Sequence, residues 1–212
     1  MKQNNKIAVI GGTGKSGKYL VKQLLEQGYE IKLLLRNPRN FQLKSPLIEV
    51  IEGNARNYPD VRLLLDGCNI IISTLGQPKG EPTIFSQATK NIVKAMGDCG
   101  MKRYILITGL NVDTPFDKKG PKTKFATEWM KTNYKETTLD KQMEYDVLSA
   151  SNIDWTLVRL PLIDLTDEAR KVEISQEDCL GDKISATDLA HFLIRQMADT
   201  TYVRKSPFIW SV

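Results

Sequence analysis

Residues 6–27 run in an order that few folds accommodate: a buried strand, an immediate turn through glycines, then an amphipathic helix. Four apolar residues, Ile7 to Ile10, form a short strand signal, and Gly11-Gly-Thr-Gly-Lys-Ser-Gly17 follows at once. From Lys18 the spacing becomes helical, with Leu20, Val21, Leu24 and Leu25 on one face. This is the context in which a glycine trio holds a dinucleotide. Gly11 lets the chain leave the strand in a tight turn, Gly14 lets backbone approach a pyrophosphate, and Gly17 lets the helix pack closely on the strand. The helix N-terminus adds free N–H groups and a positive dipole for the phosphates. The spacing is G-x-x-G-x-x-G. Gly14-Lys15-Ser16 also matches the tail of a P-loop, but that motif needs glycine where Val9 stands, so an ATPase reading fails.

The rest of the chain sets bounds. Its 212 residues suffice for one domain with a substantial core. The longest apolar runs are too short to span a bilayer, and Met1 to Lys6 begin no signal peptide, so the expected location is cytoplasmic, away from membranes. Cys68, Cys99 and Cys179 are odd in number and far apart, which argues against a disulfide framework and a metal cluster. The net charge of +5 is dispersed. It suits a solvated surface with some attraction for phosphorylated ligands, and no nucleic-acid partner is expected.

Further along, residues 30–35 read as a second strand ending in Leu35-Arg36-Asn37-Pro38-Arg39. An acid at this point favours the ribose 2′-hydroxyl of NAD, and an arginine favours the 2′-phosphate of NADP. No acid is present; Arg36 is the candidate, with Arg39 in support. A third strand, 47–51, leads to Asn54, placed to bond the adenine edge. A short helix (60–65), a fourth strand (69–73) and the loop Thr74-Leu-Gly-Gln-Pro78 follow, the loop lying at a strand's carboxyl end where ligands of open α/β sheets bind.

A helix from Pro82 to about 98 carries a core stripe, and a fifth strand (103–107) ends in Thr108, whose hydroxyl can face a nicotinamide. Residues 110–124 read as a long polar loop beside the site. Helices follow at 125–134 and 137–150, with Leu139, Met143, Val147 and Leu148 expected to face inward. A sixth strand (154–160) stops at Pro161. A short strand near Val172, a helix opening at Ser185 and a last strand (208–212) complete the chain. The sole histidine, His191, is read as packing or surface. This order predicts an α/β fold, one domain over 1–212, with a doubly wound, mostly parallel sheet and helices on both faces.

Several stretches together resemble a known family: the glycine turn, Leu34-Leu-Arg-Asn37, Glu52-Gly-Asn-Ala-Arg56, Ala88-Thr-Lys-Asn-Ile-Val93, Ser151-Asn-Ile-Asp-Trp-Thr-Leu-Val-Arg159 and Ile184-Ser-Ala-Thr-Asp-Leu-Ala190. They resemble the atypical, NAD(P)H-binding branch of the short-chain dehydrogenase/reductase superfamily, nearest in pattern to the biliverdin reductase B/flavin reductase group and bacterial NADH-flavin reductases. The resemblance covers nearly the whole chain and implies a Rossmann-like fold. It implies that Gly11, Thr13, Gly14, Lys15, Ser16 and Gly17 hold the pyrophosphate and Arg36 the 2′-phosphate. Asn54 and Ala55 would flank adenine, Leu75 and Gly76 line the ribose, Thr108 lie beside the nicotinamide, and Leu160 and Pro161 offer backbone groups to its carboxamide. NADP(H) is the expected cofactor, with NAD(H) as a second. The substrate site would come from the C-terminal portion, about 109–185.

Most of the superfamily activates a substrate oxygen through Tyr-x-x-x-Lys. Here Thr137-Thr-Leu-Asp-Lys141 has that spacing with threonine in the tyrosine's place, and a threonine hydroxyl is a far weaker proton donor than a phenol. Lys141 remains available to bind ribose, and Tyr134 lies about one turn earlier. The serine and histidine of biliverdin reductase B correspond to Gly109 and Leu162 here, which argues against tetrapyrrole-specific chemistry. The expectation is a monomeric or homodimeric NADPH-dependent reductase that passes hydride to a planar flavin or quinone, with Thr108 and Lys141 as the catalytic candidates. The competing expectations are a non-catalytic NADP(H) redox sensor of the NmrA-like kind and, more distantly, an enzyme on a nucleotide-linked sugar.

Overall fold

The computed structural model describes residues 6–212. In chain order the strands are β1 (Ile7–Ile10), β2 (Ile31–Leu35), β3 (Ile48–Glu52), β4 (Ile70–Ser73), β5 (Arg103–Gly109), β6 (Asp154–Leu160), β7 (Leu162–Asp164), β8 (Val172–Ser175), β9 (Lys183–Ser185) and β10 (Phe208–Ser211). The helices are α1 (Gly17–Glu26), α2 (Tyr58–Leu65), α3 (Phe85–Cys99), α4 (Pro121–Asn133), α5 (Lys135–Ala150) and α6 (Ala186–Arg195). Eight strands form one sheet in the order β3-β2-β1-β4-β5-β6-β10-β8, parallel except for the antiparallel edge strand β8. The chain winds outward from β1 through β2 to β3 and then returns to β4, so the strand order reverses between β1 and β4. In such sheets that reversal opens a crevice at the carboxyl ends of the strands.

Both faces of the central strands are covered, which is why they read as unbroken apolar runs rather than alternating ones. Leu20, Val21 and Leu24 of α1 pack with Leu189, Phe192 and Leu193 of α6 on the face that carries Val9, Leu33 and Ile72. Leu64, Ile92, Met96 and Leu148 cover the opposite face, which carries Ala8, Ile10, Ile71 and Leu106. Each such fully buried side chain contributes about 1.5–3 kcal/mol over leaving it in water. The cap expected at Ser185 forms: its hydroxyl accepts from Asp188 N.

Three expectations need correction. The long loop ends early, because α4 starts at Pro121, a residue suited to a first helical turn. What remains is tied down at Lys119, a buried lysine that donates to Leu110 O (2.8 Å), Val112 O (3.1 Å) and Thr127 Oγ1 (3.3 Å) and pairs with Asp113 at 2.6 Å. Secondly, Leu139 and Met143 face solvent, at 56% and 49% exposure. The inward face of α5 carries Thr138, Asp140, Glu144 and Leu148 instead, because it meets polar groups of α3 rather than a hydrophobic groove. Thirdly, β7 and β9 form a separate two-stranded parallel sheet that the sequence pattern did not suggest. No helix among the described residues is long and apolar enough to cross a membrane.

A fully buried arginine organises the C-terminal portion. Arg159 on β6 donates to Asp117 (2.6 Å) and to Ser206 O (2.8 Å), and its guanidinium lies 3.5 Å from the centre of the Phe208 ring. Burial pulls its pKa down and Asp117 opposes that, so the charge survives because it is paired.

Candidate functional site

The turn after β1 is built as its glycines require. Gly11 has φ +79°, a conformation that side chains resist, and a Cβ there would lie 2.6 Å from the backbone of Thr74. A Cβ on Gly17 would lie 2.1 Å from Gly11 O and 2.8 Å from Thr74 Oγ1, so α1 can begin this close to β1 and β4 only with glycine. Gly14 N donates to Gly11 O at 2.9 Å and closes the turn. Thr13, Gly14 and Lys15 are exposed, and Ser16 is buried at the helix entrance without making a side-chain cap bond. The amides of Lys15 and Ser16 have no backbone partner among the described residues, which leaves donors free where the helix dipole is positive.

A cleft of about 270 Å³ opens from this turn along the carboxyl ends of β1, β2, β3 and β4. Of the residues singled out in the sequence, Gly11, Thr13, Gly14, Arg36, Asn54, Ala55, Leu75 and Gly76 line it. Asn54 spends its side-chain oxygen on Arg56 N (3.0 Å), so its Nδ2 is the group left to meet a base edge. Asp60 Oδ2 fixes that loop by accepting from Asn54 N at 2.8 Å. Arg36 stands at the mouth, half exposed, and pairs with Glu81 at 2.5 Å. Arg39 sits beyond it on the turn Pro38–Asn40, exposed and outside the lining.

Gln77 and Pro78, in the loop expected at a ligand-binding strand end, also line the cleft, and Glu81, which no spacing singles out, stands beside it. The loop after β4 was marked as a ligand-binding end. Its fold depends on pairings with distant residues, which spacing alone does not reveal.

Thr108, Lys141, Leu160 and Pro161 lie outside this cleft's lining. Thr108 is buried near the carboxyl end of β5, and its hydroxyl has no hydrogen-bond partner among the described residues. Gly109 pairs in register with Leu160, which brings the ends of β5 and β6 together just before Pro161. Asn111 is also buried; its Nδ2 donates to Thr138 Oγ1 at 3.0 Å while its Oδ1 is unpartnered. On α5, Lys141 Nζ lies 3.8 Å from the centre of the Phe85 ring. Burial lowers its pKa, and the nearby Glu144 and Asp140 carboxylates act the other way. Thr137 is partly exposed, and Tyr134 is exposed and packs against Trp129. His191 is exposed and bonded to Gln23 Oε1 at 2.8 Å, away from all of these. No group of acidic, cysteine or histidine side chains among the described residues is arranged to hold a metal ion.

The reversal of strand order, the glycine cradle and the cleft beside them define a Rossmann-type dinucleotide-binding domain of the oxidoreductase kind. The family model described as NAD(P)H-binding matches residues 11–200, and the chain belongs to that family. Among curated proteins it is similar to an isoflavone reductase homolog of Nicotiana tabacum, 29% identical over 49% of this chain and 34% of the relative. It is also similar to a photosystem II assembly factor, Ycf39, of Guillardia theta, 24% identical over 96% of this chain and 64% of that one. The chain thus spans about a third of the length of the first of these relatives. A solved short-chain dehydrogenase/reductase from Veillonella parvula, in complex with NADP, shares the fold: TM-score 0.78, 18% identity, 98% of this chain and 94% of the other covered.

Proposed function

We propose that the protein is an NADPH-dependent reductase that delivers hydride to a planar acceptor such as a flavin or a quinone. The observation that carries the cofactor preference is Arg36 at the mouth of the cleft, with no acid at the end of β2. A guanidinium suits the 2′-phosphate, which an uncharged residue there would leave unpaired. The bound dihydronicotinamide supplies the hydride.

The chain's own residues position. The turn from Gly11 to Gly17 holds the pyrophosphate, Asn54 Nδ2 meets the adenine edge, and the Thr108 hydroxyl is free to donate to cofactor or acceptor. A planar acceptor needs orientation more than a strong acid, since it can take its proton from water. That matches a site where Thr137 replaces the phenol. Three large apolar side chains of the C-terminal portion, Phe125, Leu162 and Leu180, are exposed. Their segments are joined: Lys122 Nζ donates to Leu180 O, Thr123 Oγ1 to Cys179 O, and Leu162 N to Asp182 O.

A second reading, a redox sensor that binds NADP(H) without turnover, is favoured by the same threonine at 137. One experiment separates the two. NADPH is mixed with FMN, riboflavin and a simple quinone in turn, and oxidation is followed by loss of its absorbance while NADPH fluorescence reports binding. Saturable oxidation supports the reductase. Tight binding without oxidation of any acceptor supports the sensor and removes the reductase reading.

A further inference from the structure

The loop between β4 and α3 carries a charge that the cofactor reading does not use. Pro78-Lys79-Gly80-Glu81 forms a turn closed by Glu81 N donating to Pro78 O at 3.3 Å, with Gly80 at φ +74° in the third position. A type II turn requires a positive φ there, so glycine fixes the direction in which the chain reaches Glu81. The turn is pinned from two sides. Gln77 Nε2 donates to Pro78 O (3.1 Å), Glu81 O (2.8 Å) and Pro82 O (3.2 Å), and Arg56 donates to Thr83 O (2.6 Å) and to Pro82 O. The result is a carboxylate held on the Arg36 guanidinium, 2.5 Å from Nη1.

We infer that Glu81 sets the balance between NADP(H) and NAD(H), by occupying the guanidinium that a 2′-phosphate must engage and by offering an acceptor to a 2′-hydroxyl. This rests on Arg36 being the 2′-phosphate ligand. A phosphate monoester carries roughly −1.5 to −2 charge near neutrality. It cannot share Arg36 with a carboxylate without like-charge repulsion, so NADPH must displace Glu81. NADH brings a neutral hydroxyl, which can donate to Glu81 while the ion pair stays in place. In dinucleotide folds the acid for that hydroxyl normally stands at the end of the second strand. Here the end of β2 has none, and Glu81 brings one in from 45 residues further along the chain. Arg36 and Glu81 thus make a two-way reader of the ribose, one residue for each cofactor.

The test is a fluorescence titration of NADPH and NADH against the wild type, Glu81→Gln, Arg36→Ala and the double variant. Both side chains are well exposed, at 52% and 39%, so the fold should survive, and unchanged melting temperatures check that. Glu81→Gln keeps the shape and removes the charge. It is expected to shift the affinity ratio toward NADPH by about fivefold, the scale of an exposed ion pair, and the shift should shrink when Arg36 is also removed, because only the contact with the 2′-hydroxyl is then left to lose. If Arg36→Ala shifts the ratio toward NADH while Glu81→Gln leaves it unchanged, the role of Glu81 is overturned and the Arg36 assignment stands. If Arg36→Ala leaves the ratio unchanged, the 2′-phosphate assignment itself falls and takes this inference with it.

Discussion

Asp140 of α5 caps α3 through Phe85: its Oδ2 accepts Phe85 N at 2.7 Å, while Oδ1 accepts Ser86 N at 3.3 Å and Ser86 Oγ at 2.5 Å. The residue before α3, Ile84, has no side chain able to cap, so the first two amides of that helix are satisfied by a carboxylate 55 residues away. The negative charge also meets the positive end of the helix dipole. Ile84 lines the cleft beside the glycine turn, so this bond fixes one of its walls.

Removing the cap should therefore affect stability and binding together. Asp140→Ala is expected to cost about 2–3 kcal/mol, the scale of a buried charged acceptor lost from several donors. Asp140→Asn, which keeps one acceptor, should cost about half as much. Urea denaturation of the two variants gives the ordering; equal midpoints for wild type and Asp140→Ala would mean that solvent caps α3 equally well.

The glycine turn allows stability and binding to be separated. A methyl on Gly17 meets Gly11 O at 2.1 Å, which no local adjustment relieves, so Gly17→Ala should destabilise by about 1–3 kcal/mol. A methyl on Gly14 meets the same oxygen at 3.1 Å from an exposed position that lines the cleft. Gly14→Ala should thus melt within a few degrees of the wild type and yet bind NADPH at least about tenfold more weakly, since each 1.4 kcal/mol of lost phosphate contact is tenfold. Melting curves and fluorescence titrations of both variants decide this, and a Gly14→Ala protein that binds normally would remove Gly14 from the pyrophosphate site.

These residues also mark what was legible in advance. The β1–α1 turn was readable because much of its cause is local: Gly14 and Gly17 both close on Gly11 O within seven residues, although Gly11 and Gly17 also meet Thr74 after β4. The inner parallel strands β1, β2, β4, β5 and β6 were readable because burial on both faces forces largely apolar runs, whereas β3 is a mostly exposed edge strand. The inner face of α5 was not, because apolar spacing pointed to Leu139 and Met143 while the helix turns Asp140 and Glu144 toward polar partners on α3. Lys119 looked like one more loop lysine, and only its convergence with Leu110, Val112 and Thr127 explains its burial. Each of these depends on partners whose meeting is set by the fold.

Glu144 gives a pH-dependent prediction. It is buried, accepts from Thr89 Oγ1 at 2.9 Å and leaves its second oxygen unpartnered. Burial raises its pKa above the ordinary 4.5, with Lys141 and Thr89 opposing. The folded protein therefore holds this proton more tightly than the unfolded chain. Its contribution to stability is complete below the ordinary carboxylate value and declines as pH rises toward the raised folded value. Glu144→Gln, which cannot ionise, should raise the melting temperature relative to wild type more at about pH 8 than at about pH 4. A difference that is the same at both would show that Glu144 has an ordinary pKa in the folded state.

Thr108 offers the cleanest test of chemistry, because its hydroxyl has no protein partner to lose. A buried, unpaired hydroxyl is a cost to the fold, and valine has the same shape and a strong preference for strands. Thr108→Val should leave stability unchanged or raise it by about 1 kcal/mol. If that hydroxyl donates to cofactor or acceptor, kcat for acceptor reduction should fall about tenfold with little change in NADPH affinity, the pattern of a contact made mainly in the transition state. Lys141→Met should behave differently. It removes a charge set against the Phe85 ring and close to Glu144 and Asp140, so stability should drop. Steady-state kinetics with NADPH as the varied substrate, alongside melting curves, distinguish these patterns. A Thr108→Val enzyme with wild-type kcat would remove Thr108 from the catalytic candidates and direct the search to Asn111, whose buried Oδ1 is also unpartnered.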